Sequence, residues 1–190
     1  SCTMPTKTAA ANKSEKSPKS EKSAATNGAS FSKETYLRWF KEMVLMRRFE
    51  EKTGQLYTMQ KFGGFCHLYI GQEAILAGMI TAIRTSDRII TGYRDHCHPL
   101  VLGVPAKNVM AELFGKITGT SKGKGGSMHY FDKQRNLFGG HGIVGGQIGL
   151  GAGIAFADKY RGEDHVTLCM MGDGAARQGI LHETFNMAMT

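Results

Sequence analysis

The sequence predicts an α/β domain built on a parallel sheet flanked by helices, and three observations carry that expectation. Helical and extended apolar segments alternate as helix, strand, helix, strand, helix, the order that parallel sheets adopt. HVTLCMM, residues 165 to 171, is a continuous apolar run of the kind seen in parallel strands buried on both faces. Most of the 25 glycines fall between Gly115 and Gly179, so tight backbone turns concentrate around these segments.

The elements follow in order. Ser32 is a suitable N-cap, and Leu37, Phe40, Met43 and Val44 recur at three- and four-residue steps, predicting an amphipathic helix to about Gln60. Arg47, Arg48, Glu50, Glu51 and Lys52 read as its solvated face. The Gly-Gly turn in KFGGFCHLYIGQEA breaks the pattern, and a second helix is expected from about Gly71 to Ile83. DRIITGYRDH predicts a short buried strand, Ile89 to Thr91, ending in a polar loop. A helix follows Pro105, with Gly115 placed to cap its end. Residues 115 to 147 are glycine-rich without periodicity, and a loop of that length is usually functional. A Gly/Ala-rich helix is expected from about Gly146 to Tyr160, stopped by Gly162, with Gly149, Ala152, Gly153, Phe156 and Ala157 as its close-packing face. The last helix starts near Gln178.

Charge excludes less than it first promises. The net charge is +8, but Lys7, Lys13, Lys16, Lys19 and Lys22 against Glu15 and Glu21 place +3 of it in residues 1 to 30. The rest is dispersed without a basic cluster interleaved with aromatics, so a nucleic-acid partner is not expected. Residues 1 to 30 lack large apolar side chains over most of their length and are expected to be a disordered Lys/Ser/Ala-rich tail, leaving 31 to 190 as the domain. Cys2, Cys66, Cys97 and Cys169 are widely spaced with no C-x-x-C, which fits a reducing compartment. No apolar run has the length of a membrane span, and no apolar h-region of a secretory signal is found.

Several motifs carry chemical meaning. GHGIVG, Gly140 to Gly145, matches G-x-G-x-x-G, but the dinucleotide fingerprint needs a preceding strand, and FDKQRNLF looks polar and unpatterned. SKGKGGS lacks the order G-x-x-x-x-G-K-[ST], so it is either a glycine-rich surface loop or a contact segment. Asp173 is held between two glycines at the end of an apolar run. A carboxylate there suits a diphosphate bridged by Mg²⁺, which favours a carboxylate plus phosphate oxygens; it equally suits a helix N-terminal residue satisfying backbone donors. His67, His96, His98, His129 and His141 fall in turns, and no H-E-x-x-H pattern of a zinc hydrolase occurs.

GFCHLYIGQEA, GYRDHCHPL, GKGGSMH, GGHGIVGGQIGLGAGIA and GDGAARQGILHETFNMA together resemble, in order and spacing, the alpha subunits of thiamine diphosphate-dependent 2-oxo acid dehydrogenases, with pyruvate dehydrogenase foremost. The resemblance spans about residues 31 to 190. It implies the thiamine diphosphate-binding, transketolase-like fold, here incomplete at the C-terminus. It implies Asp173 as a Mg²⁺ ligand, Gly172, Gly174 and Ala175 lining the diphosphate, and Tyr93 and Arg94 contacting the cofactor. Gly142 and Val144 match the segment that holds the aminopyrimidine, and His67 matches the histidine near the 2-oxo acid; His67 and Arg94 are the catalytic candidates.

The same resemblance implies a beta subunit in an α2β2 heterotetramer, a lipoyl-bearing acyltransferase as acceptor, and pyruvate as substrate, with acetoin or branched-chain 2-oxo acids as alternatives. It places the protein in the bacterial cytoplasm, or in the mitochondrial matrix of a eukaryote. Arg177 stands where many relatives have Asn, and Cys97 where Gly is common. The family's second metal side chain, an Asn, is expected near position 202, past Thr190, and the glutamate that activates the cofactor comes from beta. Glu183 is therefore expected to make a structural contact, and the 190 residues alone are expected to be inactive. A rival reading is an anion-binding module acting through the basic tail, and another is a nicotinamide-dependent oxidoreductase using Gly140 to Gly145.

Overall fold

Three short parallel strands and the helices packed on them bring three chain turns to one end of a sheet. A computed structural model describes residues 31–190, and the expectation for the tail at 1 to 30 lies outside the described residues. Helix α1 runs Lys33–Thr58, and the Ser32 hydroxyl caps it by accepting from the Thr35 N–H at 3.2 Å. Helix α2 (Glu73–Ala82) precedes strand β1 (Arg88–Gly92). Helices α3 (Cys97–Val101) and α4 (Ala106–Leu113) follow, then β2 (Leu137–His141), α5 (Gly146–Arg161), β3 (Thr167–Cys169) and α6 (Gly179–Met189).

The strand order is β2-β1-β3, all parallel, with β1 in the centre. Ile89 and Ile90 of β1 are fully buried, as the run of apolar residues predicts. Strand β3 departs from expectation: it is parallel, but each of its residues is half-buried, and among the described residues β1 is its one strand partner. Helix α5 lies over the sheet through Gly151, where an added Cβ would come within 3.0 Å of Cys169 and 3.2 Å of Ile90. The face expected to pack closely does so only in part: Gly149 meets Ile180 of α6, while Phe156 is 66% exposed. Gly162 ends α5 in the left-handed conformation at φ +71°, the role its position predicts.

Strand β2 is the main correction. A strand does precede the glycine run, so Gly140 to Gly145 is a strand–turn–helix segment. The β1–β2 register advances two residues on β1, Ile89 to Thr91, against three on β2, Leu137 to Gly140. The extra residue is a β-bulge, and Gly139 at φ +89° supplies the backbone conformation it needs.

Glu50 is a second correction, being fully buried rather than part of a solvated face. Two apolar clusters hold α1 to the rest. One joins Phe49, Phe62, Leu100, Val104, Val109, Leu113 and Tyr130. The other joins Met46, Tyr69, Leu76, Ala77 and Cys97.

The loop from Gly115 to Tyr130 is ordered around one side chain. The buried Glu112 carboxylate accepts the backbone N–H groups of Ser121 at 2.8 Å, Gly123 at 2.9 Å and Gly125 at 2.6 Å. The loop that resembles a phosphate cradle thus already encloses an anion of its own.

At the opposite end of the sheet from these turns, Asp87 joins the start of β1 to the start of β3. Its carboxylate pairs with Arg84 at 2.9 Å and accepts the N–H groups of Arg84 at 2.8 Å and Val166 at 3.0 Å. The Arg84 guanidinium and these N–H groups hold its carboxyl well below the usual carboxylate range. A depressed pKa stabilises the fold above the unfolded value near 4 and is lost as pH falls towards the folded value. Asp87→Asn is therefore expected to lower the melting temperature at neutral pH and to flatten its decline below about pH 4. Melting curves across acidic pH would show this, and an unchanged neutral-pH melting temperature would refute it.

Candidate active site

Turns after β1, β2 and β3 meet around a cavity of about 450 Å³, at the carboxyl ends of the strands where ligands of parallel sheets bind. From the β1 turn come Gly92, Tyr93 and Arg94; from the β2 turn, His141, Val144 and Gly145; from the β3 turn, Gly172 to Ala175. Tyr69, Gln72 and Ile75, before and within α2, close the side.

Two charged side chains at this cavity, Arg94 and Asp173, are short of partners. Arg94 donates one guanidinium N–H to the Leu68 carbonyl at 2.7 Å, and its remaining donors meet no acceptor among the described residues. Its guanidinium lies 5.6 Å from the centre of the Tyr93 ring. Asp173 is the one carboxylate that lines the cavity, and it has neither hydrogen bond nor ion pair among the described residues. The backbone N–H groups of Asp173, Gly174 and Ala175 also donate to none of the described residues. Helix α5, 16 residues long, begins at the cavity with no side-chain cap, which turns its positive dipole end towards the same space. A cation-flanked set of free N–H groups beside one carboxylate fits a diphosphate and a bridging divalent cation.

Of the nine site residues expected from the sequence, seven line the cavity: Tyr93, Arg94, Val144, Gly172, Asp173, Gly174 and Ala175. His67 stands just behind, its ring centre 4.5 Å from that of Tyr93. Burial, then the charges of Arg94 and His96, lower its pKa, so it favours the neutral form. Gly142 sits in the β2 turn beside His129, whose ring an added Cβ would approach to 3.6 Å. Glu183 lies on α6 in the apolar groove between α5 and α6, apart from this cavity.

Sequence reasoning missed Gln147. Only 2% exposed, it donates to the Met170 carbonyl at 3.1 Å across α5 and the β3 turn, and its side-chain oxygen is buried without a partner. A glutamine as the one polar side chain in the first eleven residues of α5, GQIGLGAGIAF, was the available signal. Tyr69, whose buried hydroxyl is likewise unpartnered, stood inside the GFCHLYIGQEA motif.

The sequence pattern of the dehydrogenase E1 component family matches residues 41–190. The chain belongs to that family. Among curated E1 proteins, the pyruvate dehydrogenase E1 component subunit alpha of Rhizobium meliloti is 61% identical over 160 residues, covering 84% of this chain and 46% of the relative. The subunit of the same name from Rickettsia felis is 55% identical over 82% of this chain and 48% of its own length. The mitochondrial alpha-1 subunit of Oryza sativa is 52% identical over 80% of this chain and 39% of its own length. The chain thus spans about half the length of the curated E1 relatives it matches, or less. No helix among the described residues is long and apolar enough to cross a membrane, and no three His, Cys, Asp or Glu side chains among them cluster as a metal site.

Proposed function

We propose that this chain is the N-terminal part of the alpha subunit of a pyruvate dehydrogenase, and that the cavity receives thiamine diphosphate with Mg²⁺. The convergence of Asp173, three free N–H groups and Arg94 on one cavity carries the reading. The E1 family is thiamine diphosphate-dependent, which names the diphosphate. Asp173 would hold the metal, Gly172, Gly174 and Ala175 would line the diphosphate, and the Arg94 guanidinium would pair with its negative charge. Gly142 and Val144 would place the aminopyrimidine, and Tyr93 would pack beside the cofactor.

When bound, the cofactor supplies the nucleophilic carbon and the electron sink for decarboxylating a 2-oxo acid. The protein supplies position and charge. His67, held neutral beside Arg94, would donate an N–H towards the substrate carbonyl oxygen as negative charge develops there. In this reading pyruvate yields CO₂, and the acetyl group passes to a lipoyl group on the acyltransferase component. A beta subunit completes the site in an α2β2 assembly, located in bacterial cytoplasm or the mitochondrial matrix.

Calorimetric titration of the full-length alpha chain, assembled with beta, tests the reading. Thiamine diphosphate should bind only with Mg²⁺, and Asp173→Asn should weaken it by at least about 10–100-fold, the loss seen when only an outer partner of a metal ligand is removed. Equal binding by the variant, or preferential binding of NADH over thiamine diphosphate, would sink the proposal.

A further inference from the structure

Behind the cavity three buried side chains form a hydrogen-bonded series that the reading above does not use. His96 Nδ1 lies 3.0 Å from each carboxylate oxygen of Glu50, and His96 Nε2 lies 2.7 Å from the Ser127 hydroxyl. Glu50 and His96 are fully buried, and Ser127 is 7% exposed. Burial would lower the His96 pKa, but the hydrogen bond and charge of Glu50 outweigh it and leave it raised. Cys97 adds a thiol contact to Glu50 at 3.5 Å, and the Tyr130 ring packs edge-on against His96. The order acid, imidazole, hydroxyl is that of a hydrolase triad, yet none of the three lines the cavity, so Ser127 lacks access to a substrate.

The placement of the series in the chain gives it a different use. Glu50 is on α1, the longest helix. His96 is two residues beyond Arg94, on the turn that carries Tyr93 and Arg94 to the cavity. Ser127 opens the segment that supports the β2 turn: His129 Nδ1 bonds the Gly140 carbonyl at 2.9 Å, and an added Cβ at Gly140 would come within 2.7 Å of the Met128 carbonyl. One buried series therefore ties together the segments bearing Arg94 and Gly142, and the His67 ring packs on Tyr93 of the first of them.

We propose that Glu50, His96 and Ser127 are positioning residues, a buried brace that fixes the β1 and β2 turns relative to one another and so sets cofactor affinity. The brace rests on the functional reading above, and it acts without touching the ligand. A charged partner makes the His96 bonds strong and directional, and losing one member frees both turns.

Full-length alpha chains assembled with beta are titrated with thiamine diphosphate and Mg²⁺ by calorimetry, with melting curves recorded alongside. Ser127→Ala should weaken cofactor binding by up to about tenfold, the size of one buried hydrogen bond, and lower the melting temperature by only a few degrees, about what that bond is worth to the fold. Ser127→Thr, which keeps the hydroxyl, should recover most of that affinity. Glu50→Gln should weaken binding comparably, and the double variant should lose little beyond either single one, as members of one series do. Ser127→Ala affinity within about twofold of the unaltered protein, multiplicative losses in the double variant, or collapse of the fold in Ser127→Ala each overturn the brace. If the unaltered protein itself fails to bind, the functional reading falls and takes the brace with it.

Discussion

Replacing Glu112 with alanine is expected to lower unfolding free energy by about 3–5 kcal/mol, the range for removing one partner of a buried charged arrangement. The carboxylate is fully buried and serves three backbone donors from Ser121, Gly123 and Gly125. Each hydrogen bond to a charged group contributes about 1.5–3 kcal/mol. Their sum is reduced by what it costs to keep a carboxylate out of water, which is why the expected loss lies below three times the single value. Alanine would leave three orphaned N–H groups in a loop without regular secondary structure to take them up. Glu112→Gln keeps the shape and one oxygen, so its loss should be smaller than that of alanine. Urea unfolding of both variants decides the point: equal midpoints for the unaltered protein and Glu112→Ala would show that the loop's own turns hold it.

Gly140→Ala should be as damaging, at about 3 kcal/mol or more, the upper end for forcing an atom into a packed core. An added Cβ would stand 1.9 Å from a carboxylate oxygen of Asp95 and 2.7 Å from the Met128 carbonyl. Asp95 has little freedom to withdraw. It is fully buried, and the crowded oxygen accepts the Tyr130 N–H at 2.9 Å. Burial pushes the Asp95 carboxyl up to about 8, so it is largely protonated at neutral pH, a state that avoids a bare charge in the core. Combining Gly140→Ala with Asp95→Ala should restore part of the stability, because the worst contact disappears while that to Met128 remains. Strict additivity of the two losses would show that this contact is not the cause.

The start of helix α1 was legible from Ser32 and the end of α5 from Gly162, because caps are local chemistry, but the buried face of α1 was not: Leu37, Phe40 and Val44 are exposed, while Met46, Phe49, Glu50 and Thr53 are buried. Strand β1 was legible for a local reason too, as a compact apolar run. Strand β2 was not, since its bulge is built from Gly139 and its pairing lies with residues near 90. A strand containing two glycines has no propensity to announce itself. Glu50 was misread because its neighbours in sequence are charged and exposed, whereas its partner is His96, 46 residues on. The family motifs located most of the cavity, and the two strand ends located its charges. Gln147 and the brace stayed hidden because what defines them is the partner across the fold, which no local pattern records.

The central position of β1 also has a consequence for the order of synthesis. The chain makes its middle strand first and both flanking strands later, with the β3 partner of Ile90 at Cys169. At roughly 5–20 residues per second, Ile89 and Ile90 wait about 4–16 seconds on the ribosome before both neighbours exist. Until β2 is made, the most buried strand of the sheet is an apolar segment without a strand partner that only α1 to α4 can cover; β2 and α5 then arrive before β3.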